Sequence, residues 1–155
     1  GFKNVIGIDL SPALLKTYQG HAPLCASDCR WLPLADNSCD IVIVQGGLHH
    51  LPVLPDDLEL TVAEVHRALC SGGKFVVVEP WLTPFLRLIH FLSERRIIRA
   101  ILPKFDAFAT MVHYERETYF NWLRQPDIVY AVIANKLLAI SCTKKFGKIS
   151  FVGKK

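Results

Sequence analysis

Cysteine pairs, methionine and long apolar runs are what this sequence is short of. Its five cysteines, Cys25, Cys29, Cys39, Cys70 and Cys142, are odd in number and never spaced C-x-x-C. A closed disulfide framework or a zinc ribbon is therefore not expected. Free thiols fit a reducing compartment, read here as the cytoplasm. The one methionine is Met111, and the chain opens on Gly1. Residues 1–10 already read as a strand, and a domain rarely begins in mid-sheet. The sequence is thus expected to be a fragment with residues missing upstream. No apolar run reaches the ~18–20 residues of a membrane span. The best stretch, Trp81 to Leu102, is broken by Arg87, His90, Glu94, Arg95, Arg96 and Arg99. Charged residues are only 21% against 51% apolar, a balance that excludes intrinsic disorder. There is neither an internal repeat nor a low-complexity stretch.

At 155 residues the chain suits one domain with a real core. Its charge is unevenly placed. Residues 1–80 hold 5 Lys/Arg and 9 Asp/Glu, whereas residues 81–155 hold 13 and 5. The basic second half points to an anionic partner, substrate or membrane surface, or simply to solubilising helix faces.

Val5-Ile6-Gly7-Ile8 reads as a buried parallel strand ending at Asp9. Ser11 and Pro12 suit the cap and first position of a helix running to about Gln19, stopped by Gly20. A short strand over 22–27 precedes Asp28. Ile41-Val42-Ile43-Val44 is the clearest strand and runs into Gln45-Gly46-Gly47, where glycine permits positive φ. Asp56 to Leu69 has the apolar spacing of an amphipathic helix, with Ser71-Gly72-Gly73 after it. Phe75 to Val78 is a further buried strand, closed by Glu79-Pro80. Beyond it, 84–101 reads as one or two helices, and 115–123 and 127–139 as two more. Strands 138–143 and 149–152 lie too close in sequence to be parallel neighbours, so they form an antiparallel hairpin. The fold class is α/β: a mostly parallel Rossmann-like sheet with an antiparallel C-terminal hairpin.

In such sheets ligands bind beyond the carboxyl ends of the strands. Asp9, Asp28 and Gln45-Gly46-Gly47 stand at three such ends. Each alone is weak, because a carboxylate after a strand also serves as a helix cap. Together they describe a nucleoside pocket. Asp9 has two acceptor oxygens for two ribose hydroxyls. Asp28 can accept from an exocyclic amine, the Cys29 N–H can donate to a ring nitrogen, and Leu10 and Leu48 can sandwich a flat base.

The order of motifs resembles the class I S-adenosylmethionine-dependent methyltransferases, specifically the small-molecule group related to ubiquinone-biosynthesis methyltransferases. Val5-Ile6-Gly7-Ile8-Asp9-Leu10-Ser11 is similar to that family's second strand with its ribose-binding acid. Ser27-Asp28-Cys29-Arg30-Trp31-Leu32-Pro33-Leu34 resembles its G-D-A-x-x-L-P-F segment. Asp36 to Val42 resembles D-x-S-F-D-x-V, with Cys39 in place of Phe. Leu48-His49-His50-Leu51 matches L-H-H-L. Glu64 to Lys74 resembles E-x-x-R-V-L-K-P-G-G-x, with Ser71 where Pro is common, and Lys148 to Gly153 suits the last strand. The likeness is dense over 3–80 and looser afterwards. It implies a single domain over 1–155, with a cofactor half (1–80) and a lid or substrate half (81–155). It also implies S-adenosylmethionine as cofactor, with Asp9 on the ribose and Asp28 and the Cys29 backbone on adenine. Gln45 and Gly46 would line the methionine side, and Leu48 and Leu10 would form apolar walls.

The implied reaction is in-line attack by a small-molecule acceptor, possibly lipid-like, on the sulfonium methyl. Positioning supplies much of such catalysis, and a base is needed only when the acceptor must lose a proton. No catalytic residue is assigned. His49 and His50 have the right chemistry for a base, but histidines there also order loops. No metal is expected, since no carboxylate or cysteine stands at a ligand spacing from the histidine pair.

The family's acidic-x-Gly-x-Gly turn, with its first strand and helix, does not occur upstream of Asp9. Without a strand between them, the strand ending at Asp9 and the strand 41–44 either leave a gap or pair directly. Two alternatives remain open. One is a nicotinamide-dependent Rossmann enzyme. The other is a non-catalytic interaction module that takes a partner, or a second copy, at its open sheet edge. Residues 84–101, with Phe85, Leu88, Ile89, Leu92 and Ile98, are expected to pack as a lid. Peripheral contact with a membrane is the other reading of that basic amphipathic stretch. Tyr114, Tyr119 and Trp122 read as core rather than as nucleic-acid stacking platforms.

Overall fold

The computed structural model describes residues 2–155. The expected strand start at Gly1 lies outside them. Six strands and seven helices alternate through the first half and segregate in the second. They are β1 (Gly7–Asp9), α1 (Pro12–Leu15), β2 (Leu24–Ala26), β3 (Cys39–Gln45), α2 (Asp56–Ala68) and β4 (Leu69–Pro80). After these come α3 (Pro84–Ser93), α4 (Arg96–Ile101), α5 (Pro103–Tyr114), α6 (Arg116–Arg124), α7 (Pro126–Asn135), β5 (Leu138–Lys145) and β6 (Lys148–Lys154). A 3-10 turn, Leu48–His50, follows β3.

The strands fall into two sheets. β1 and β2 pair in parallel, and the other sheet has the order β3-β4-β6-β5. Of the gap and the direct pairing expected between β1 and β3, the structure has the gap. β3 and β4 are parallel, while β4–β6 and β5–β6 are antiparallel. Parallel and antiparallel pairings are therefore equal in number, not mostly parallel as expected. The hairpin inserts its second strand beside β4, which extends antiparallel pairing one strand further inward. Its turn has positive φ at both Phe146 and Gly147, the geometry a two-residue hairpin favours.

Local chemistry accounts for the element ends. Ser11 Oγ accepts from Leu14 N–H at 3.3 Å with Pro12 in the first turn. α1 is nonetheless a single turn and stops at Leu15, not near Gln19, because none of its residues is buried to reward a longer helix. α2 carries Asp56, Asp57 and Glu59 at its positive end and His66 and Arg67 at its negative end. β4 starts directly after α2, so Ser71-Gly72-Gly73 lies within a strand. Gly72 has φ +82°, and the partner register slips there between Cys39 and Ile41. α5 was not expected at all, although Pro103 opens it and Phe105, Phe108 and Val112 line one side.

One face of the larger sheet, carrying Phe75, Val77, Ile149 and Phe151, packs on Leu58, Val62 and Val65 of α2, Trp122 of α6 and Val129 and Ile133 of α7. Each such side chain fully buried contributes roughly 1.5–3 kcal/mol. Trp122 also donates its indole N–H to the Pro80 carbonyl at 2.9 Å, tying α6 to the end of β4.

Candidate active site

The carboxyl ends of β3 and β4 are joined by one side chain. Glu79, 1% exposed, accepts the Gly47 and Leu48 N–H groups with Oε1 at 2.8 and 2.9 Å. Its Oε2 lies 2.7 Å from Nδ1 of His49. The 3-10 turn needs these acceptors because its first N–H groups have no partners of their own. Gly46, with φ +65°, makes the bend that delivers them, and its N–H donates to the Val78 carbonyl. With Glu79 accepting, the proton of neutral His49 sits on Nδ1, leaving Nε2 as a lone-pair acceptor. That Nε2 is 3.5 Å from Oε2 of Glu115, at the junction of α5 and α6. At that distance the two acceptors make no direct hydrogen bond, so Nε2 stays open to a donor on a ligand.

These groups form one wall of a cavity of about 670 Å³. Gln45, Gly46, His49 and His50 line its sheet side. Phe85, Leu86 and Ile89 of α3, Phe105, Phe108 and Met111 of α5, and Phe146 of the hairpin turn supply an apolar lining. Lys104 and Lys148 stand on its border. Deeper in, the Tyr119 hydroxyl lies 3.2 Å from Nε2 of His90. Burial pushes the Tyr119 phenol up to about 12, and burial pushes His90 below the ordinary imidazole range. A flat or elongated apolar molecule with one acidic O–H, N–H or C–H fits such a cavity chemically.

The residues expected to hold a nucleoside are distributed differently. Gln45 and Gly46 line the cavity, as their place at the carboxyl end of β3 requires. Asp9 closes β1. Its Oδ1 accepts the Ser11 N–H at 2.7 Å, and its second oxygen is left for a ligand. Asp28 is already engaged. Arg30 folds back to give its carboxylate a forked pair of bonds, Nε at 3.0 Å and a terminal nitrogen at 2.7 Å, and also reaches Asp57 at 2.8 Å. The guanidinium holds the Asp28 carboxyl below the usual range. For Asp28 to accept from an exocyclic amine, part of that fork must open. Cys29 packs against α2, its sulfur 3.6 Å from Thr61 Oγ1, and burial pushes its thiol up. Leu10 is 69% exposed beside Asp9, whereas Leu48 is 1% exposed and belongs to the core. As placed, the two leucines do not sandwich a base, because the 3-10 turn carries the Leu48 side chain inward.

The segment 28–36 is pinned to α2 by further bonds. Glu64 accepts from the Leu32 N–H, and Arg67 donates to the Leu32 and Leu34 carbonyls. Sequence reasoning placed Asp28 and Glu79 at strand ends but missed Glu115, His90 and Tyr119, which reach the site only through the packing of α3, α5 and α6. His49, His50 and Glu115 each offer one ligand atom, all within 4.8 Å of one another. The structure thus supplies the carboxylate that spacing alone did not reveal, and the trio can accept a proton or a divalent cation.

Carboxylates closing parallel strands around a glycine turn, with an apolar cavity beside it, are the arrangement of a Rossmann-like scaffold, whose ligands bind beyond the carboxyl ends of the strands. Comparison with known proteins narrows this. Residues 1–77 match the family model of the methyltransferase domain. The demethylmenaquinone methyltransferase of Renibacterium salmoninarum is 27% identical over 164 residues, covering 94% of this chain and 67% of the relative. The demethylmenaquinone methyltransferase of Geobacillus kaustophilus is 29% identical over 132 residues, covering 78% and 51%. An S-adenosylmethionine-dependent methyltransferase of Methanosarcina mazei superposes with a TM-score of 0.64 at 15% identity, covering 98% of this chain and 82% of that one. Residues 1–77 thus carry the methyltransferase-domain signature, and the chain shares the Rossmann-like fold of S-adenosylmethionine-dependent methyltransferases. It spans between about half and two thirds of the length of these curated relatives.

Proposed function

We propose that this chain carries the acceptor side and part of the cofactor side of an enzyme that methylates a lipophilic small molecule. The observation that carries the reading is the apolar cavity that opens at the Gln45-Gly46 turn and has the Glu79-held His49 in its wall. S-adenosylmethionine, the cofactor of the class, supplies an activated methyl group on a positive sulfur. The free oxygen of Asp9 fits a ribose hydroxyl, and the Gly46 backbone fits close approach of the methionine portion, since a Cβ there would meet nothing closer than 4.0 Å. Asp28 fits the adenine amine only once Arg30 yields.

The chain's own residues then do three things. α3 and α5 exclude water from the acceptor. The cavity wall orients its nucleophilic atom toward the methyl carbon. His49 Nε2 takes the acceptor's proton, and the resulting imidazolium lies between Glu79 and Glu115. With the cofactor bound, the acceptor's electron pair would go to the methyl carbon and the carbon–sulfur pair would stay on sulfur. The menaquinone-related relatives support a quinol-like acceptor.

Calorimetry with S-adenosylhomocysteine tests the cofactor assignment in the protein as its gene encodes it. Asp9→Ala is expected to weaken binding about tenfold or more, the cost of a charged hydrogen bond. Unchanged affinity would refute the ribose role.

A second reading has one observation in its favour. Among the described residues β3 has no partner on its outer edge, and Ile41 and Ile43 are exposed there. An added strand from another chain would satisfy that edge. Under this reading the protein oligomerises and binds no S-adenosylhomocysteine, and sedimentation combined with the same calorimetry separates the two.

A further inference from the structure

α3 is apolar on both sides. Leu86 and Ile89 face the cavity, yet Leu88 and Phe91, each 52% exposed, face away from it. A helix apolar all round is ordinarily enclosed. The outward patch continues onto α4, where Ile97 and Ile101 are exposed. At the cavity mouth it meets Phe85, whose ring stands edge-on to that of Phe146 with centroids 5.9 Å apart. These apolar groups are interleaved with charge of one sign. Residues 84–104 hold Arg87, Arg95, Arg96, Arg99 and Lys104 against the single acid Glu94. Of the four arginines, only Arg99 has a carboxylate partner among the described residues, Asp106 at 2.7 Å. The Arg95 guanidinium lies over the Phe91 ring, 4.6 Å from its centroid, so charge and apolar surface share one spot. Lys144, Lys145 and Lys148 flank Phe146 on the hairpin.

We propose that this face of α3 and α4, with the Phe85–Phe146 pair, docks on an anionic lipid surface. The apolar side chains enter the headgroup boundary, and the arginines reach lipid phosphates beside them. Charge complementarity selects this occupant, since an uncharged partner leaves Arg87, Arg95 and Arg96 without counter-charges. The position of the patch gives the docking a use. The helix that would lie on the bilayer is the one whose other side lines the cavity, so a lipophilic acceptor passes from membrane to site without crossing water. That use rests on the methyl-transfer reading, whereas the docking itself does not. It also alters the expectation for 84–101. Leu88 does not pack as a lid residue, whereas Phe85 borders the cavity mouth and Ile89, Leu92 and Ile98 are partly enclosed.

The test is co-sedimentation of the full-length protein with vesicles of phosphatidylcholine, with and without phosphatidylglycerol. No cofactor or acceptor is present. Binding is expected to vesicles containing phosphatidylglycerol at low salt, and to weaken as salt screens the arginines. Leu88→Glu combined with Phe91→Glu should lower partitioning about tenfold or more, and so should Arg95→Ala combined with Arg96→Ala. Neither pair lines the cavity, so both variants should keep the wild-type melting temperature and affinity for S-adenosylhomocysteine. Absence of wild-type binding, or equal binding by all three proteins, overturns the proposal. So does a wild-type dimer that Leu88→Glu dissociates, because a second copy then covers the patch. Vesicle binding without S-adenosylhomocysteine binding would sink the methyl-transfer reading and leave the docking intact. The reverse pattern would do the opposite.

Discussion

Replacing Glu79 by glutamine changes one atom and should redirect a proton. In the wild type, Oε1 accepts two backbone N–H groups and Oε2 faces Nδ1 of His49 at 2.7 Å. The glutamine carbonyl must keep the two N–H groups, because leaving both unpaired costs roughly 1–3 kcal/mol each. Its NH₂ is then left against Nδ1. Two donors cannot meet, so the imidazole proton must move to Nε2, and Nε2 becomes a donor toward Glu115. The fold should lose only about 1 kcal/mol, or roughly 2–4 °C of melting temperature in a protein of this size. Glu79→Ala strands both N–H groups and the imidazole, so it should cost roughly 3–6 kcal/mol and lower the melting temperature by about 10–20 °C. Long-range proton–nitrogen NMR reads the tautomer of His49 directly. It should show Nδ1–H in the wild type and Nε2–H in Glu79→Gln. With an acceptor that must lose a proton, kcat should fall about 100-fold or more in the glutamine variant. A glutamine variant that keeps the Nδ1–H tautomer, or turns over at the wild-type rate, would refute the role given to His49. One that melts as low as Glu79→Ala would refute the account of the two N–H acceptors.

Two further outcomes follow from burial. Tyr119, held up to about 12, should give an ultraviolet pH titration of the protein a late phenolate step that Tyr119→Phe removes, and a late step unchanged by the substitution would contradict its enclosure. Its folded form keeps a proton that the unfolded chain gives up near pH 10, so its contribution to stability is whole below pH 10 and is lost as pH rises to about 12. Cys142 is exposed while burial pushes the Cys29 thiol up, so mass-spectrometric mapping should show Cys142 alkylated first and Cys29 much later. Equal rates would mean that Cys29 does not pack on α2.

The first half of the fold was readable because its periodicities are clean. The unbroken apolar run Ile41-Val42-Ile43-Val44 gives β3, and Leu58, Val62 and Val65 recur at helical spacing in α2. The hairpin was readable because two apolar strands flank a glycine. α5 is not legible in the sequence because none of its residues is fully buried, so the apolar side formed by Phe105, Phe108 and Val112 is interrupted and faces a cavity rather than the core. The Asp28–Arg30 fork is a contact two residues apart and was visible in principle. Glu115 was invisible for another reason. It meets His49 only after α3, α5 and α6 have packed, and no local pattern encodes that meeting.

The strand order has a consequence for how the protein is made. β6 is last in chain order but lies between β4 and β5. A nascent chain emerging at ~5–20 residues per second can form β3, β4 and α2 early. It then holds an open β4 edge, with Phe75 and Val77 half-covered, until β6 arrives. β5 has nothing to pair with in the meantime. The hairpin turn also carries Gly147, whose N–H donates to the Thr83 hydroxyl that caps α3. The arrival of β6 therefore covers the β4 edge and fixes the cavity wall in one late event. Until then the growing chain presents a sticky strand edge, and a chaperone has the most to gain by binding there.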